Sequence, residues 1–349
     1  MLEIFGRLND DRRVDDVAFE MRPCRSQPIV RQRSGSDDEM VLKPVTSEPD
    51  DFDLLAEVDQ RINASTTTRL TNSRVSDSVH YHLAAGGSRT RARIAYRFGR
   101  SLGLSTSEAI PLAVASEAIH NASLILDDLQ DRDEERRGKP AVWVAFGPDV
   151  ASLASHLMVS AGFGALADPA CRAYTRELVE VFHSRIASTI YGQESDLYPR
   201  VPNDETSSNA ASEQWSCYVQ GAIAKSGGLL SLPIEMPLIA ADQSFALNIA
   251  RKMMSHFATA YQVIDDLADV SRDASREERS AAPNAVRSLR QQQDSPMDGS
   301  GYSLAAKRGQ SELNLAIELA EKVPGDCQRI ISEEGQRLLA VAGEAIADA

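Results

Sequence analysis

From Phe52 onward, apolar residues recur at intervals of three and four, and that spacing commits the chain to helices. The pattern runs through residues 52–64, 75–102, 107–131, 149–167, 170–197, 211–229, 244–270 and 303–323. Glycine and proline fall mainly between these stretches, at Gly147-Pro148, Pro199, Pro202 and Pro296, where they act as punctuation. Convincing alternating strands are absent. Gly86-Gly87 and Gly227-Gly228 are isolated pairs, not a dinucleotide or P-loop fingerprint. The expectation is an all-α fold: one helical domain over residues 51–349, preceded by a polar extension over residues 1–50 that is flexible or packs on a partner chain. Segments 199–210 and roughly 271–300 read as loops, and the second follows an acidic helix so directly that it is placed to close over a site.

The charge balance narrows the partners. Among 349 residues, 51 are acidic and 37 basic, a formal net charge of −14. Nucleic acid and anionic membrane surfaces call for a basic excess, so neither is expected as a partner. Cys24, Cys171, Cys217 and Cys327 are scattered with no CxxC pair, which argues against a zinc site and a disulfide framework. The first residues lack the basic-then-apolar pattern of a signal peptide, and the long apolar run IPLAVASEAI is interrupted by Glu117. A cytoplasmic, reducing setting without stable membrane insertion is expected.

Acids carry the chemistry. In IHNASLILDDLQDRDEERRGKP, residues 119–140, helical spacing makes Asp127 and Asp131 neighbours and puts His120 two turns earlier on the same face. Asp128 lies beside them. In YQVIDDLADV, residues 261–270, Gln262, Asp265, Asp266 and Asp269 form one polar stripe on an otherwise apolar helix. Stacked carboxylates repel, and more so in partly buried helices; a cation removes the conflict. Hard oxygen ligands suit Mg²⁺, which keeps several waters and bridges carboxylates to phosphates. Solvated acidic faces would explain one such pattern better than two, each set in apolar helix. Cations suited to phosphate lie near: Arg136 and Arg137 after the first motif, Arg89, Arg91 and Arg93 after Gly86-Gly87, and Lys225-Ser226 before Gly227.

Together these residues resemble the trans-prenyl diphosphate synthase family of isoprenoid synthases. HLAAGGSRTR is similar to the family's GGKxxR entry motif, and residues 119–140 to its first aspartate-rich region with the RRGxP tail. GQESDL resembles GQxxDL, AKSGG the KTG element, and YQVIDD the FQxxDD of the second aspartate-rich motif. The resemblance runs from about residue 80 to about residue 285. It implies a bundle of about ten to a dozen helices around a deep central cavity, acting as a homodimer. It also implies three Mg²⁺ per site gripping an allylic diphosphate, whose cation is attacked by isopentenyl diphosphate. By the same resemblance Asp127, Asp131 and Asp265 are the main metal ligands, with Asp128, Asp266 and Asp269 as ligands or supports. Arg136, Lys225, Gln262 and Ser226 would then hold the allylic diphosphate; Arg137, Arg91, His120 and the Ser88 position would hold that of isopentenyl diphosphate.

The chain departs from the family in places. Ser88 stands where the entry motif has lysine, leaving Arg89 or Arg93 to substitute. Trp143 replaces a histidine beyond RRGxP, Ser155-His156 a GD pair, and Arg272, Arg276 and Arg279 the downstream lysines. Small residues at Ala122 and Ser123 favour a product of twenty carbons or more. A terpene cyclase, a non-standard prenyl condensation and a weakly active subunit of a heteromeric synthase are the competing readings; the second DDxxD, in place of an NSE-type motif, weighs against the cyclase.

Overall fold

The computed structural model describes residues 51–67, 73–198, 210–273, 285 and 300–347. The expected extension 1–50, and the expected loops over 199–209 and 274–299 apart from Ala285, lie outside the described residues.

The described chain is all but entirely helical. Helix α1 spans Asp51–Thr66, α2 Arg74–Leu83, α3 Thr90–Ser101 and α4 Thr106–Asp131. Short α5, Val142–Phe146, leads into α6, Pro148–Leu166, and α7, Thr175–Leu197. Then come α8, Ala210–Ala222, a π-helical stretch over Ile223–Gly227, α9, Gly228–Ala240, and α10, Leu247–Asp273. The chain closes with α11, Ser300–Ala320, and α12, Cys327–Ala347. Among the described residues the sole sheet is a two-residue ribbon, β1 (Glu135–Arg136) against β2 (Lys139–Pro140).

Helix α4 is the axis of the first half. Its start is fixed by a capping box: Ser105 Oγ accepts from the Glu108 amide, and Glu108 returns a 2.8 Å bond to the Ser105 amide. From Ala109 to Ile119 every residue is buried, and α3, α6 and α9 pack around it. It ends at Arg132, whose φ of 59° is left-handed and breaks the helical ladder just after Asp131. The second half packs α10 against α9, α11 and α12 around Phe257, Met253, Leu313 and Ile330. By length and composition α4 and α6 could each cross a membrane; 78% of the most apolar window of α4 is buried inside the protein, against 39% for α6.

Three expectations are corrected. The periodic stretch 75–102 is two helices, parted at Ala84–Arg89, where Gly86, Gly87 and Arg89 all take positive φ. Helix α9 contains Pro233 and Pro237 yet continues through them. It is buried from Gly228 to Ile239, so tertiary packing outweighs the local cost of proline. Helix α12 lies where no periodic stretch was expected, and α10 runs three residues into the expected loop.

Candidate active site

The first acidic face closes α4. Asp127 is half-buried and Asp131, one turn on, is exposed. Burial chiefly, with the Asp131 and Asp128 charges, pushes the Asp127 carboxyl up to about 6, while the Lys225 ammonium opposes the shift. Asp128 is 1% exposed and ion-paired with Arg136, whose Nε and Nη2 both donate to Oδ1, the former at 2.9 Å. Its other oxygen, Oδ2, is buried with no protein donor. Desolvation pushes the Asp128 carboxyl up despite the guanidinium.

Lys225 and Ser226 arrive from α8 on the π-helical stretch. Such widened turns often mark functional positions, because they re-aim side chains within a helix. Gly192 on α7 makes the approach possible: a Cβ there would lie 2.5 Å from the Lys225 amide nitrogen. Gln193, beside it, donates to Gln130 Oε1 at 3.1 Å, joining α7 to the end of α4.

The second acidic face lies on α10. Asp265 is exposed, while Asp266 is engaged at both oxygens. Gln262 Nε2 donates to Asp266 Oδ1 at 3.0 Å; the Tyr218 hydroxyl and the Ala285 amide both donate to Oδ2 at 2.8 Å. Ser226 Oγ donates to Gln262 Oε1 at 3.1 Å, so the relay runs Ser226, Gln262, Asp266. Asp266, expected among the metal ligands, is therefore built as a hub that fixes α8, α10 and the chain at Ala285. Ser226 and Gln262, expected to hold a diphosphate, spend donors on that hub. The Asp269 side chain lies outside the described residues.

Between the two acidic faces stand the cations. Arg91 is 7% exposed, bonds the Tyr261 hydroxyl, and keeps its buried Nε without a partner. Arg137 donates to the Gly86 carbonyl across a turn in which Arg137 (φ 55°) and Gly138 (φ 73°) both take positive φ. That pair of conformations is what a two-residue hairpin loop requires. Burial chiefly, then Arg91 and Arg137, holds His120 well below its ordinary pKa. His82 is pushed down to about 3 by burial, then by Arg137; its Nε2 lies 3.1 Å from Asn121 Oδ1. The expected substitutes for the missing lysine are committed elsewhere. Arg89 forms a two-pronged pair with Asp59 at 2.8 and 3.0 Å, and Arg93 one with Glu334 at 2.9 and 2.7 Å. Ser88 is exposed, its hydroxyl 2.9 Å from that of Thr90.

Two acidic helix faces, with an arginine and a lysine acting on the first, belong to a pattern matched across the chain: residues 72–282 fit the model described as polyprenyl synthetase. The chain belongs to the polyprenyl synthetase family. It is 30% identical over 202 residues to a geranylgeranyl diphosphate synthase of Cyanophora paradoxa, a stretch covering 56% of this chain and 65% of that one. It is 29% identical over 189 residues to a (2E,6E)-farnesyl diphosphate synthase of Mycobacterium bovis, covering 52% and 48%. These matches span less than two thirds of either relative. A geranyltranstransferase of Thermotoga maritima superposes with a TM-score of 0.65 at 20% identity, over 83% of this chain and 97% of that one. A polyprenyl synthetase of Streptomyces coelicolor gives 0.67 at 18%, over 83% and 99%. The fold is that of the isoprenoid synthases.

Within this family frame the departures have structural accounts. Trp143 Nε1 donates to the Asp133 carbonyl at 2.8 Å and closes the loop beyond α4. Buried Ser155 donates to the Ala122 carbonyl at 2.9 Å, locking α6 to α4. Sequence reasoning missed Tyr218 and took Tyr261 for apolar cover; Tyr261, beside Gln262, bonds Arg91 instead. No three His, Cys, Asp or Glu side chains converge among the described residues to hold a metal without help. Mg²⁺ does not need such a cage, since it completes its shell with water and substrate phosphate. The fit to Mg²⁺ rests on the donors: hard carboxylate oxygens, an orphaned buried Asp128 Oδ2, and an Asp127 whose ionisation burial chiefly resists.

Proposed function

We propose that this chain is a Mg²⁺-dependent prenyl diphosphate synthase, joining an allylic diphosphate to isopentenyl diphosphate to make a longer trans-prenyl diphosphate. The observation that carries the reading is Asp127 facing Lys225 and Arg136 at the end of a buried apolar helix, with Arg91 and Arg137 acting on His120 two turns earlier. Asp127, Asp131 and Asp265 would hold the metal, up to three ions per site, with Asp128 beside them. Bound Mg²⁺ supplies charge neutralisation for a departing diphosphate.

The chain's own part is positioning and electrostatics. Lys225 and Arg136 place positive charge beside the acids, where negative charge grows as a carbon–oxygen bond breaks. Arg91 and Arg137 place a second set toward Gly86 and His120, suited to the other diphosphate. His120 offers a ring N–H there. The apolar residues of α4 above Asp127, including Ile119 and Ala122, exclude water from an allylic cation. Ala122 and Ser123, both small, fit a product of twenty carbons or more.

The assembly proposed is a homodimer of single-domain chains spanning residues 51–349. Its support is the exposed apolar surface at Val144 and Leu153 (55% exposed) on α5 and α6. A cytoplasmic setting fits the free thiols Cys171 and Cys327.

The deciding experiment incubates pure protein with Mg²⁺, isopentenyl diphosphate and each allylic diphosphate of five to twenty carbons. Elongated diphosphates are expected. A cyclic hydrocarbon formed without isopentenyl diphosphate would overturn the reading in favour of a cyclase, and turnover only on adding a second polypeptide would make the chain a subunit.

A further inference from the structure

We propose that Lys139 supplies the ammonium–diphosphate contact that Ser88 leaves open, binding the diphosphate of the second substrate, the one that does not ionise. The proposal rests on the two-diphosphate reading above.

Three observations converge on it. First, the Gly86–Ser88 turn has lost its own cation, and both neighbouring arginines are buried against carboxylates, Arg89 on Asp59 and Arg93 on Glu334. Freeing either would strand a buried acid or a buried guanidinium, which is strongly disfavoured. Second, the β1–β2 ribbon pairs Arg136 with Lys139, so both side chains leave the same face of the ribbon. Lys139 is exposed and reaches the same turn, where Nζ donates to the Ala84 carbonyl at 3.1 Å. A neutral carbonyl uses one of its three N–H donors and leaves the charge uncompensated. Arg137 leans on the next part of the turn through the Gly86 carbonyl, and a Cβ on Gly87 would lie 2.5 Å from its guanidinium carbon. The ribbon thus delivers two cations to the place where the entry motif lacks one.

Third, several cations share the neighbourhood. Arg91 keeps a buried Nε with no acceptor, and Arg137, Arg136 and Arg91 or Arg89 all act against a charge on His120 and His82. Burial first, then Arg89 and Arg136, lowers the pKa of Arg137 itself. Clustered arginines with an orphaned guanidinium nitrogen fit a multiply charged oxyanion, and exposed Lys139 reaches the chain beside them through the Ala84 carbonyl.

The test is a split in kinetic constants. Lys139→Gln is expected to raise KM for isopentenyl diphosphate about tenfold, the size of one charge-assisted hydrogen bond. KM for the allylic diphosphate should stay unchanged, Lys139→Arg should stay near wild type, and adding Ser88→Lys to Lys139→Gln should restore binding. An unchanged KM, or an equal rise for both substrates, would overturn the assignment. Inorganic pyrophosphate titrated calorimetrically into the full chain with a chelator present separates this from the reading it rests on. Even if wild type turns nothing over, weaker pyrophosphate binding by Lys139→Gln supports the site. Equal binding by the two proteins, or none by wild type, sinks it.

Discussion

The two acidic motifs share one sequence pattern but are anchored differently. In the first, Asp128 is buried, held at one oxygen by Arg136, and left with an orphaned second oxygen. In the second, Asp266 has both oxygens engaged, with Gln262, Tyr218 and Ala285 among its donors. A charge anchor with an open oxygen suits a carboxylate that takes part in cation binding. Engagement of both oxygens from several elements suits a carboxylate whose task is to fix the helices around it. Equal spacing in DDxxD therefore does not mean equal work for the middle acid.

The largest expected effect falls on the outward acids, where the two faces should behave alike. Asp127→Ala and Asp265→Ala should each cut turnover by about 10³-fold or more, since several kcal/mol of charge stabilisation goes with the metal. Their helical circular dichroism should be intact. Undiminished activity in either variant would remove that face from the metal site.

Next comes the contrast between the anchors. Arg136→Met leaves a buried carboxylate without its cation and should cost about 3 kcal/mol in urea unfolding. Asp128→Asn leaves a guanidinium that is partly exposed and can turn to water, so its cost should be about 1 kcal/mol. The order of the two is the test: if Asp128→Asn is the worse, the open-oxygen account of Asp128 is wrong. Tyr218→Phe removes one of several neutral donors and should cost about 1 kcal/mol. It should also raise the Mg²⁺ concentration needed for half-maximal rate only modestly, by loosening α8 against α10. A loss as large as that of Asp265→Ala would make Asp266 a ligand after all.

Much of this contrast was legible in the sequence, and part of it could not be. The all-α fold and the acidic faces follow from periodicity, because spacing on a helix determines which side chains share a face. The Tyr218–Asp266 bond joins residues 48 apart in sequence, and no local pattern encodes such a meeting. The fate of Arg89 and Arg93 was equally hidden: Glu334, the partner of Arg93, lies 241 residues away on a helix that periodicity did not reveal. Helix α9 was missed because proline was read as punctuation, a local rule that burial on every side outweighs.

The last effect is one of pH, in metal-free protein. The Asp127 carboxyl has its folded pKa raised to about 6, so the folded state binds the extra proton first. Its contribution to stability is present below about 4 and lost as pH rises through about 6. His82, lowered to about 3, has the opposite sign: its contribution is present above about 6.5 and lost as pH falls toward 3. Each slope is at most about 1.4 kcal/mol per pH unit, and between pH 6 and 4 they oppose each other. Two variants expose what the wild type hides. Measured by urea unfolding with chelator at pH 7 and pH 5, His82→Gln should gain stability relative to wild type on acidification, and Asp127→Asn should lose it. Adding Mg²⁺ at pH 7 should raise the melting temperature of wild type but not of Asp127→Asn, because the metal takes the ionised carboxylate. Equal differences from wild type at the two pH values, for either variant, would mean that its group titrates as it does in water and that its burial does not govern its charge.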